Sequence, residues 1–261
     1  MAKKKIALDA GHGLKTPGKQ TPTGIKEWTL NDKVRDKIVA YLVDYDVEII
    51  HTDNNEGNKD ESLTSRLNRY MNAGVDAFVS IHHNAHTGSW NSATGVEVYT
   101  DKNPTKKDKA LAKAIYERIC NYTGLRGRGI KQANYTVIDQ DRIPAVLVEG
   151  GFMDGSSDYK YITSGAGQLA YAKAVAFGLI EFLDLKRKEE PEIVSLFKIK
   201  VANVDKGDVL NVRKEPNSNA AITGKLAYND PNIYTIIDIR NGWGLLKSKI
   251  GWINLNYTKR V

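Results

Sequence analysis

With 261 residues, the chain is long enough for one domain of moderate size and a small second one. Its 41% hydrophobic and 26% charged residues are ordinary for a soluble globular protein, and its single cysteine, Cys120, excludes an intrachain disulfide. The net charge of +7 is concentrated in residues 195–261, which contain 11 Lys and Arg against 5 Asp and Glu. This excess indicates either an anionic partner, such as nucleic acid, a membrane or an anionic wall polymer, or a solvated basic surface.

The first apolar run is too short for a secretory leader. It follows Lys3-Lys4-Lys5 and ends at Asp9, whereas the apolar core of a signal peptide needs ~7–15 residues. No stretch is expected to approach the ~20 apolar residues that span a membrane. We therefore predict a protein made in the cytoplasm without membrane insertion, which another factor must release if its substrate lies outside the cell.

Apolar runs alternate with helical patterns as far as about residue 185. These patterns predict strands at 4–9, 47–52, 77–82, 96–100 and 146–149, and helices at 28–44, 62–73, 105–122 and 168–183. Gly74 and Gly124 stand where helices should end. The alternation predicts an α/β fold with a twisted, mostly parallel sheet flanked by helices, in which sites gather beyond the carboxyl ends of the strands.

The pattern changes after Leu185. The charged, proline-containing segment 185–194 predicts a linker between a domain at 1–184 and a second domain at 195–261. Six short β-like runs follow, at 197–204, 209–212, 222–226, 233–239, 243–246 and 251–254. Asn241-Gly242 between two of these runs is a strong hairpin signal. The second domain is therefore predicted to be a small all-β barrel.

Polar residues end several predicted strands of the first domain. His12 follows the first strand, His82 ends the third, and Glu149 ends the apolar run that precedes Gly150. Glu27 opens the first helical pattern. Because the carboxyl ends of parallel strands meet at one edge of a sheet, we expect His12, His82 and Glu149 to converge.

Two imidazoles and a carboxylate can hold one zinc ion and leave a coordination position for water. His12, Glu27 and His82 can fill the ligand positions, while Glu149 can accept the proton of the water and pass it to a leaving nitrogen. Taken alone, Glu27 is better explained as a first-turn acid, and His82 equally well as a hydrogen-bonded histidine. Glu149 is more telling, since a carboxylate at the end of a buried strand needs a metal, a cation or a catalytic task.

The neighbours of these residues give weaker signals. Asp9 either hydrogen-bonds a ligand imidazole or simply ends its strand, and His83 should point to the opposite side from His82. Asn84 either orients substrate or satisfies loop backbone. Arg142 pairs either with an anionic group of the substrate or with Glu27 or Asp9, or it is solvated, which is favoured.

Three strings carry a family resemblance: Leu-Asp-Ala-Gly-His-Gly at 8–13, Val-Ser-Ile-His-His-Asn-Ala at 79–85, and Ile-Pro-Ala-Val-Leu-Val-Glu-Gly-Gly-Phe-Met at 143–153. Together they resemble the zinc-dependent N-acetylmuramoyl-L-alanine amidases of the Amidase_3 type, over about residues 4–183. The resemblance implies one Zn²⁺ held by His12, Glu27 and His82, with Glu149 as the catalytic glutamate. His83 departs from the family, which commonly has a small residue there.

The second domain carries a separate resemblance. Its segment Leu-Asn-Val-Arg-Lys-Glu-Pro at 210–216, with Gly-Trp-Gly at 242–244 and Gly-Trp-Ile at 251–253, resembles bacterial SH3 domains of wall-lytic enzymes. The resemblance implies a module that binds wall peptide or polymer. Trp243 and Trp252 are candidates for the binding groove, with a core position as the alternative, favoured for Trp252.

These resemblances imply an enzyme that cleaves the amide between N-acetylmuramic acid and L-alanine in peptidoglycan. We expect an endolysin of phage or prophage type that acts on a Gram-positive wall after holin-mediated release, without a nucleic acid partner. A zinc peptidase or deacetylase acting on another wall amide, and a non-catalytic wall-binding protein, are the alternatives. The oligomeric state and the host stay open, and a site with two histidines and a glutamate accepts several divalent ions.

Overall fold

A computed structural model describes residues 3–188 and 196–261, and the chain divides into two compact units after Lys188. Residues 3–188 are called the first unit and residues 196–261 the second unit. Part of the predicted linker packs on the first unit, because Leu185 is buried in its core and Arg187 forms a β-bridge with Tyr45. The rest of that linker, 189–194, lies outside the described residues, so the predicted domain limits stay a prediction.

The first unit contains six strands and five α-helices among its described residues. They are β1 (Lys4–Ala10), α1 (Glu27–Leu42), β2 (Val47–His51), α2 (Leu63–Ala73), β3 (Ala77–Asn84), β4 (Val96–Thr100), α3 (Lys106–Thr123), β5 (Gly127–Gln132), β6 (Ala145–Phe152), α4 (Ser156–Ile162) and α5 (Gly165–Leu183). Periodicity predicts all of them except β5, which has two glycines and one apolar residue, and α4, which is two turns long. Gly74 and Gly124 cap α2 and α3 in the left-handed conformation, as predicted.

The strand order of the first unit is β2-β1-β3-β6-β4-β5. The first four strands in this order are parallel, β4 runs antiparallel to β6, and β5 is parallel to β4. This confirms an α/β fold with a mostly parallel sheet flanked by helices. The carboxyl ends of β1, β3 and β6 are neighbours, and His82 lies directly across from Glu149 in the register of β3 and β6.

Alternating residues of the strands face two separate cores. Ile6, Leu8 and Val79 belong to a core with side chains of α1, α3 and α5, whereas Ala7 and Phe78 belong to a core on the other face with side chains of α2. Burial on both faces explains why the strands read as nearly continuous apolar runs. The hydrophobic effect of these two cores holds the sheet, and therefore the carboxyl ends of its strands, in place.

Helix α5 is apolar around much of its circumference. By length and composition it could cross a membrane, although half of its apolar window is buried in the fold, where it packs against α1 and α3. The expectation that no stretch approaches a membrane span is therefore wrong for α5. Packing against two other helices explains its composition, because a helix covered on several sides needs apolar residues on several sides.

The second unit is an antiparallel sheet of seven strands. They are β7 (Phe197–Val201), β8 (Val209–Arg213), β9 (Ile222–Ala227), β10 (Tyr234–Arg240), β11 (Trp243–Leu246), β12 (Trp252–Asn254) and β13 (Thr258–Arg260), in the order β13-β7-β10-β11-β12-β8-β9. Asn241 and Gly242 both have positive φ and join β10 to β11, which confirms the predicted hairpin. The prediction of an all-β domain is confirmed. The two edge strands, β13 and β9, do not pair with each other among the described residues, so the predicted closed barrel is not confirmed.

Candidate metal and catalytic site

Three predicted ligands meet at the carboxyl edge of the first sheet. Nε2 of His12 lies 3.2 Å from Oε2 of Glu27, and Nδ1 of His82 lies 3.1 Å from Oε1 of the same carboxylate. One ligand atom from each residue lies within 4.8 Å of the other two, and among the described residues no other His, Cys, Asp or Glu group does this. The two histidine rings are 4.9 Å apart, edge to face.

The backbone around Gly11 allows the two histidines to approach each other. A Cβ at Gly11 would lie 2.1–2.6 Å from ring atoms of His82, so a side chain at this position would displace that imidazole. The amide of Gly11 donates to the carbonyl of Ile81 at 3.0 Å, which joins the ends of β1 and β3. His12 then turns with a φ of 66°, a left-handed conformation that redirects the chain at the end of the strand.

Glu27 supplies a buried negative charge. Its side chain is 2% exposed. Burial alone would raise its pKa, but hydrogen bonds with His12 and His82 hold the pKa of Glu27 well below its usual range. The amide of His83 also donates to its Oε1, at 3.3 Å. This carboxylate is therefore ionised, as a metal ligand must be.

The three donors are of the types that bind zinc. Adjacent donor atoms around a tetrahedral zinc with bonds of about 2.0–2.1 Å are about 3.3 Å apart, and the three donor atoms lie within 4.8 Å of one another, so they would draw closer together around one ion. Two imidazoles with one carboxylate are also the donor set of several catalytic zinc sites. Which first-row metal ion such a site binds depends on the availability of the ions as well as on the types of ligand.

Glu149 lies beside this group without a hydrogen-bond partner. Its Oε2 is buried and forms no hydrogen bond within the described part of the chain. Burial, followed by the negative charges of Glu27 and Glu97, raises the pKa of Glu149 well above its usual range, although Lys19 acts in the opposite direction. A carboxyl group in this environment takes up a proton readily, which is the property required of a general base that later acts as an acid.

Asp9 reaches His82 through a serine. Oδ2 of Asp9 accepts a hydrogen bond from Oγ of Ser80 at 2.7 Å, and that Oγ lies 3.1 Å from Nε2 of His82. Oδ1 of Asp9 accepts from Nη1 of Arg66 at 2.7 Å, and Nη2 of Arg66 donates to the carbonyl of His12 at 2.7 Å. These contacts fix the orientation of His82 and the backbone of His12 before a metal binds.

Only part of this hydrogen-bond network could be predicted from the sequence. Ser80 is two residues before His82 on the same strand and therefore shares its face, so its proximity follows from strand geometry. Arg66 is on α2, and nothing in its local pattern indicates that it reaches β1. Its burial is visible only after the helix docks on the sheet.

His83 faces away from the three donors. Its Nδ1 lies 2.8 Å from Oδ1 of Asn31, and Nδ2 of Asn31 donates to the carbonyl of Gly11 at 3.1 Å. Burial, opposed by the negative charge of Glu27 and aided to a smaller extent by His82, lowers the pKa of His83 to about 4. His83 is thus neutral at pH 7, and through Asn31 it braces the turn that carries His12.

Two further predicted site residues lie elsewhere. Nδ2 of Asn84 donates to Glu97 at 3.1 Å and its Oδ1 accepts from the amide of Ala85, so this side chain ties the end of β3 to β4. Arg142 is exposed in the turn before β6. Neither residue lines the cavity that contains His12, His82 and Glu149, and the structure gives no support to their predicted contact with substrate.

A cavity of about 510 Å³ opens over the site. Its lining adds charged, aromatic and apolar residues to His12, His82 and Glu149, among them Lys19, Asp60, Leu63, Tyr135, Val137 and Leu147. None of these six was predicted as a site residue from the sequence, because five come from loops, a short helical turn and the start of α2, and Leu147 is an apolar residue within β6. The mixed lining suits a substrate with both polar and apolar groups.

Comparisons with known proteins agree with this geometry. Residues 6–181 match the family Amidase_3, described as N-acetylmuramoyl-L-alanine amidase. An endolysin of Bacillus phage SPP1 is 33% identical over 188 residues, covering 71% of this chain and 68% of the relative. A sporulation-specific N-acetylmuramoyl-L-alanine amidase of Bacillus subtilis (strain 168) is 29% identical over 205 residues, covering 77% and 78%.

Solved structures show the same fold for the first unit. The catalytic domain of CwlV, an N-acetylmuramoyl-L-alanine amidase from Bacillus (Paenibacillus) polymyxa var. colistinus, is 29% identical with a TM-score of 0.64, over 70% of this chain and 99% of that one. An N-acetylmuramoyl-L-alanine amidase from Clostridium difficile 630 is 28% identical with a TM-score of 0.66, over 70% and 98%.

Proposed function

The chain belongs to the Amidase_3 family of N-acetylmuramoyl-L-alanine amidases, and from this premise we propose that it hydrolyses the amide bond between N-acetylmuramic acid and L-alanine in peptidoglycan. One observation of the structure carries the proposal. His12, Glu27 and His82 converge within 4.8 Å of one another, and Glu149, whose Oε2 is buried, lines the same cavity as both histidines. Metal ligands and a proton acceptor beside one open cavity are the parts that amide hydrolysis requires.

We assign the metal site to zinc. Nε2 of His12, Nδ1 of His82 and the carboxylate of Glu27 would hold the ion. When bound, zinc supplies a Lewis acid that polarises the amide carbonyl and lowers the pKa of water. The chain itself holds the imidazole of His82 through Ser80 and the turn that carries His12 through the contact between Asn31 and Gly11. Both side chains therefore need little rearrangement when the ion binds.

Glu149 is assigned the proton transfer. In the ionised form, its carboxylate accepts the proton of the attacking water, and it then delivers that proton to the leaving nitrogen of L-alanine. Its raised pKa favours uptake of the proton, and the absence of a hydrogen-bond partner for Oε2 among the described residues leaves this atom available for the task. The base therefore belongs to β6, and the ligands to the turn after β1, to α1 and to β3.

The second unit is proposed to be an SH3-like module that binds the wall. Its segment at 210–216, its all-β structure and its excess of basic residues support this role. Trp243 lines a cavity of the second unit, whereas Trp252 is 7% exposed with the guanidinium of Arg240 above its ring. We assign wall binding to Trp243 and a core role to Trp252. Such a module raises the effective concentration of the enzyme at its substrate.

We further propose that the protein is an endolysin of a phage or prophage and acts on a Gram-positive wall after release from the cytoplasm. The 33% identity to the endolysin of a Bacillus phage supports this proposal. N-acetylmuramoyl-L-alanine amidases of Bacillus subtilis and Clostridium difficile are also among its relatives.

The reaction is tested by digesting purified Gram-positive peptidoglycan and analysing the products. We expect new N-terminal L-alanine without new reducing ends, and loss of this product when a chelator removes the metal. A new D-amino-acid terminus would instead identify a peptidase, released acetate a deacetylase, and no product at all a non-catalytic wall-binding protein.

The ligand set is tested by metal analysis of Glu27→Ala. Removing this carboxylate should lower the zinc content far below that of the parent, because two imidazoles remain from a set of three donors. Glu61→Ala is a matched control, since Glu61 lines the same cavity but lies outside the three-residue group. A Glu27→Ala protein with the parental zinc content would remove Glu27 from the ligand set.

A further inference from the structure

The second unit contains a cavity of its own, of about 370 Å³. Five of its lining residues decide what it can bind: the carboxylates Asp205 and Asp208, the amide Asn211 on β8, and the aromatic rings of Trp243 and Tyr257. They come from the loop before β8, from β8 and β11, and from the turn before β13. A polar cavity in a unit with an apolar core requires a reason other than stability.

The charge of the cavity is opposite to that of its surroundings. Residues 195–261 contain only 5 acidic residues against 11 basic ones, yet two of those acids, Asp205 and Asp208, line this cavity. The basic residue in the lining is Arg213, whose Nη1 donates to the carbonyl of Ala220 at 2.7 Å. The cavity therefore attracts a cation on a surface that otherwise attracts anions.

Asn211 adds an acceptor. Its Oδ1 is buried and accepts no hydrogen bond from the described residues. Buried acceptors of this kind are rare, because an unmade hydrogen bond in a low-dielectric environment costs stability. A ligand that donates an N–H to Asn211 would remove this cost.

The aromatic residues complete the chemistry. Trp243 is partly exposed and Tyr257 is 45% exposed, so their rings are accessible in the same cavity as the two carboxylates. Aromatic faces together with carboxylates are a favourable environment for an organic ammonium group. The same carboxylates repel phosphate groups, which excludes the backbone of an anionic wall polymer as the group bound here.

We propose that this cavity binds the primary ammonium group of a wall peptide, with a neighbouring peptide N–H donating to Asn211. This inference rests on the proposed wall-binding role of the second unit and deepens it. Asp205 and Asp208 pair with the ammonium, and Trp243 and Tyr257 cover its carbon chain. The other wall group that carries an ammonium is an alanyl ester on teichoic acid, which has no adjacent peptide N–H.

The test measures binding of the full-length chain to insoluble Gram-positive peptidoglycan, with Glu149→Gln in every protein so that the wall is not digested. Asp205→Asn with Asp208→Asn should weaken binding by about tenfold or more, which corresponds to about 1.4 kcal/mol. Asp238→Asn is the matched control, because this acid of the same unit lies outside both the cavity lining and the segment 210–216, and its neutralisation should change binding little.

Whether the double substitution weakens or strengthens wall binding distinguishes the proposal from simple charge attraction. If the basic surface alone bound an anionic wall, removing two negative charges would strengthen binding, and this result or unchanged binding would overturn the proposal. Asp205→Asn alone serves as a second variant, since Asp208 also accepts a hydrogen bond from the amide of Val209 and its replacement perturbs the loop.

Treated walls identify the source of the ammonium group. Acetylating the amines of the wall with acetic anhydride should lower parental binding to the level of the double variant. Removing teichoic acid with hydrofluoric acid should leave the difference between parent and variant intact; if that difference disappears, the peptide source is wrong and the alanyl ester is bound. Cleavage of a soluble muropeptide by the same variants with Glu149 restored reports separately on the proposed amidase activity.

Discussion

The two units of this chain differ in the polar side chains that they bury as a whole. Every buried polar or charged residue among the described residues belongs to the first unit, including Asp9, Glu27 and Arg66, whereas the buried side chains of the second unit are hydrophobic. Burying a polar group is unfavourable unless it is hydrogen-bonded or paired. In the first unit, this unfavourable burial occurs beside the candidate metal site. The second unit has an apolar core, and its proposed role is binding without catalysis.

Most buried charges of the first unit are compensated. Asp9 pairs with Arg66 and accepts from Ser80, and Glu27 contacts both histidines. Glu149 is the exception, since its buried Oε2 has no partner among the described residues. The carboxyl group of Glu149, which has no compensating partner, therefore marks the position of proton transfer better than the paired carboxylates do.

The largest expected effect follows from changing that carboxyl. Glu149→Gln keeps the size of the side chain but cannot accept the proton of water, so cleavage of peptidoglycan should fall by about 10²–10⁴-fold. Zinc content and binding to insoluble wall should stay at parental values, because the change affects neither the three donors nor the second unit. Parental cleavage rates in a product assay would exclude Glu149 as the base.

The next effect concerns the paired charges. Arg66→Ala leaves Asp9 buried without its cation, and should lower the free energy of unfolding of the first unit by about 3–5 kcal/mol. Arg240→Ala is the control in the second unit, where the pair with Asp238 is largely exposed and should be worth less than about 1 kcal/mol. Urea unfolding followed by helical circular dichroism measures the first unit. Equal costs for the two substitutions would contradict the contrast between the units.

A third effect depends on pH. All five histidines of the sequence precede residue 87, and burial lowers the pKa of His83 from 6.5 to about 4. Between these values the unfolded chain binds a proton at this histidine and the folded chain does not, so acidification favours unfolding. The first unit should lose up to about 3 kcal/mol over this range, since each pKa unit is worth about 1.4 kcal/mol.

This pH dependence has an internal control. His83→Gln should flatten the loss of stability between about pH 6.5 and about pH 4, whereas His86→Gln, at an exposed position, should leave it unchanged. Hydrogen exchange should show that the stability of the second unit does not change with either histidine substitution. If the free energy of unfolding of the His83→Gln protein falls as steeply with decreasing pH as that of the parent, another group causes the acid sensitivity.

The smallest expected effect separates two neighbouring glycines. A Cβ at Gly11 would overlap the ring of His82, so Gly11→Ala should weaken zinc binding by about 10–100-fold through misplacement of that ligand. A Cβ at Gly13 would lie 3.1–3.3 Å from Asp60, a tight contact away from the imidazole, and Gly13→Ala should cost less. Competition with a chromogenic chelator measures both affinities, and a reversed order would refute the role of Gly11.

Strand-end placement predicted much of the candidate site. His12, His82 and Glu149 were expected to converge because neighbouring parallel strands share a carboxyl edge, and the structure brings them together there. Glu27 was identified by family resemblance, since an acid in the first turn of a helix is common for other reasons. Asn84 and Arg142 had no such geometric argument, and both lie outside the cavity.

Elements with weak local signals escaped prediction. Strand β5 has a single apolar residue and lies at the edge of the sheet, and β13, Thr-Lys-Arg, has none. Each is a strand because its backbone pairs with a neighbour, β4 or β7, that is distant in sequence. Hydrophobic periodicity detects burial of side chains and is blind to pairing of this kind.

The sequence alone therefore determined the order of the strands and helices that have clear periodicity, the hairpin at Asn241-Gly242 and the chemical types of the residues at the strand ends. Each of these follows from short-range properties: side-chain periodicity, turn preference and the donor atoms a residue carries. Only the tertiary structure decided that Arg66 pairs with Asp9, that His83 turns to Asn31, and that Oε2 of Glu149 is buried with no partner among the described residues. Those contacts join residues tens of positions apart, and their energies depend on burial and register, which exist only once the sheet and its helices have packed.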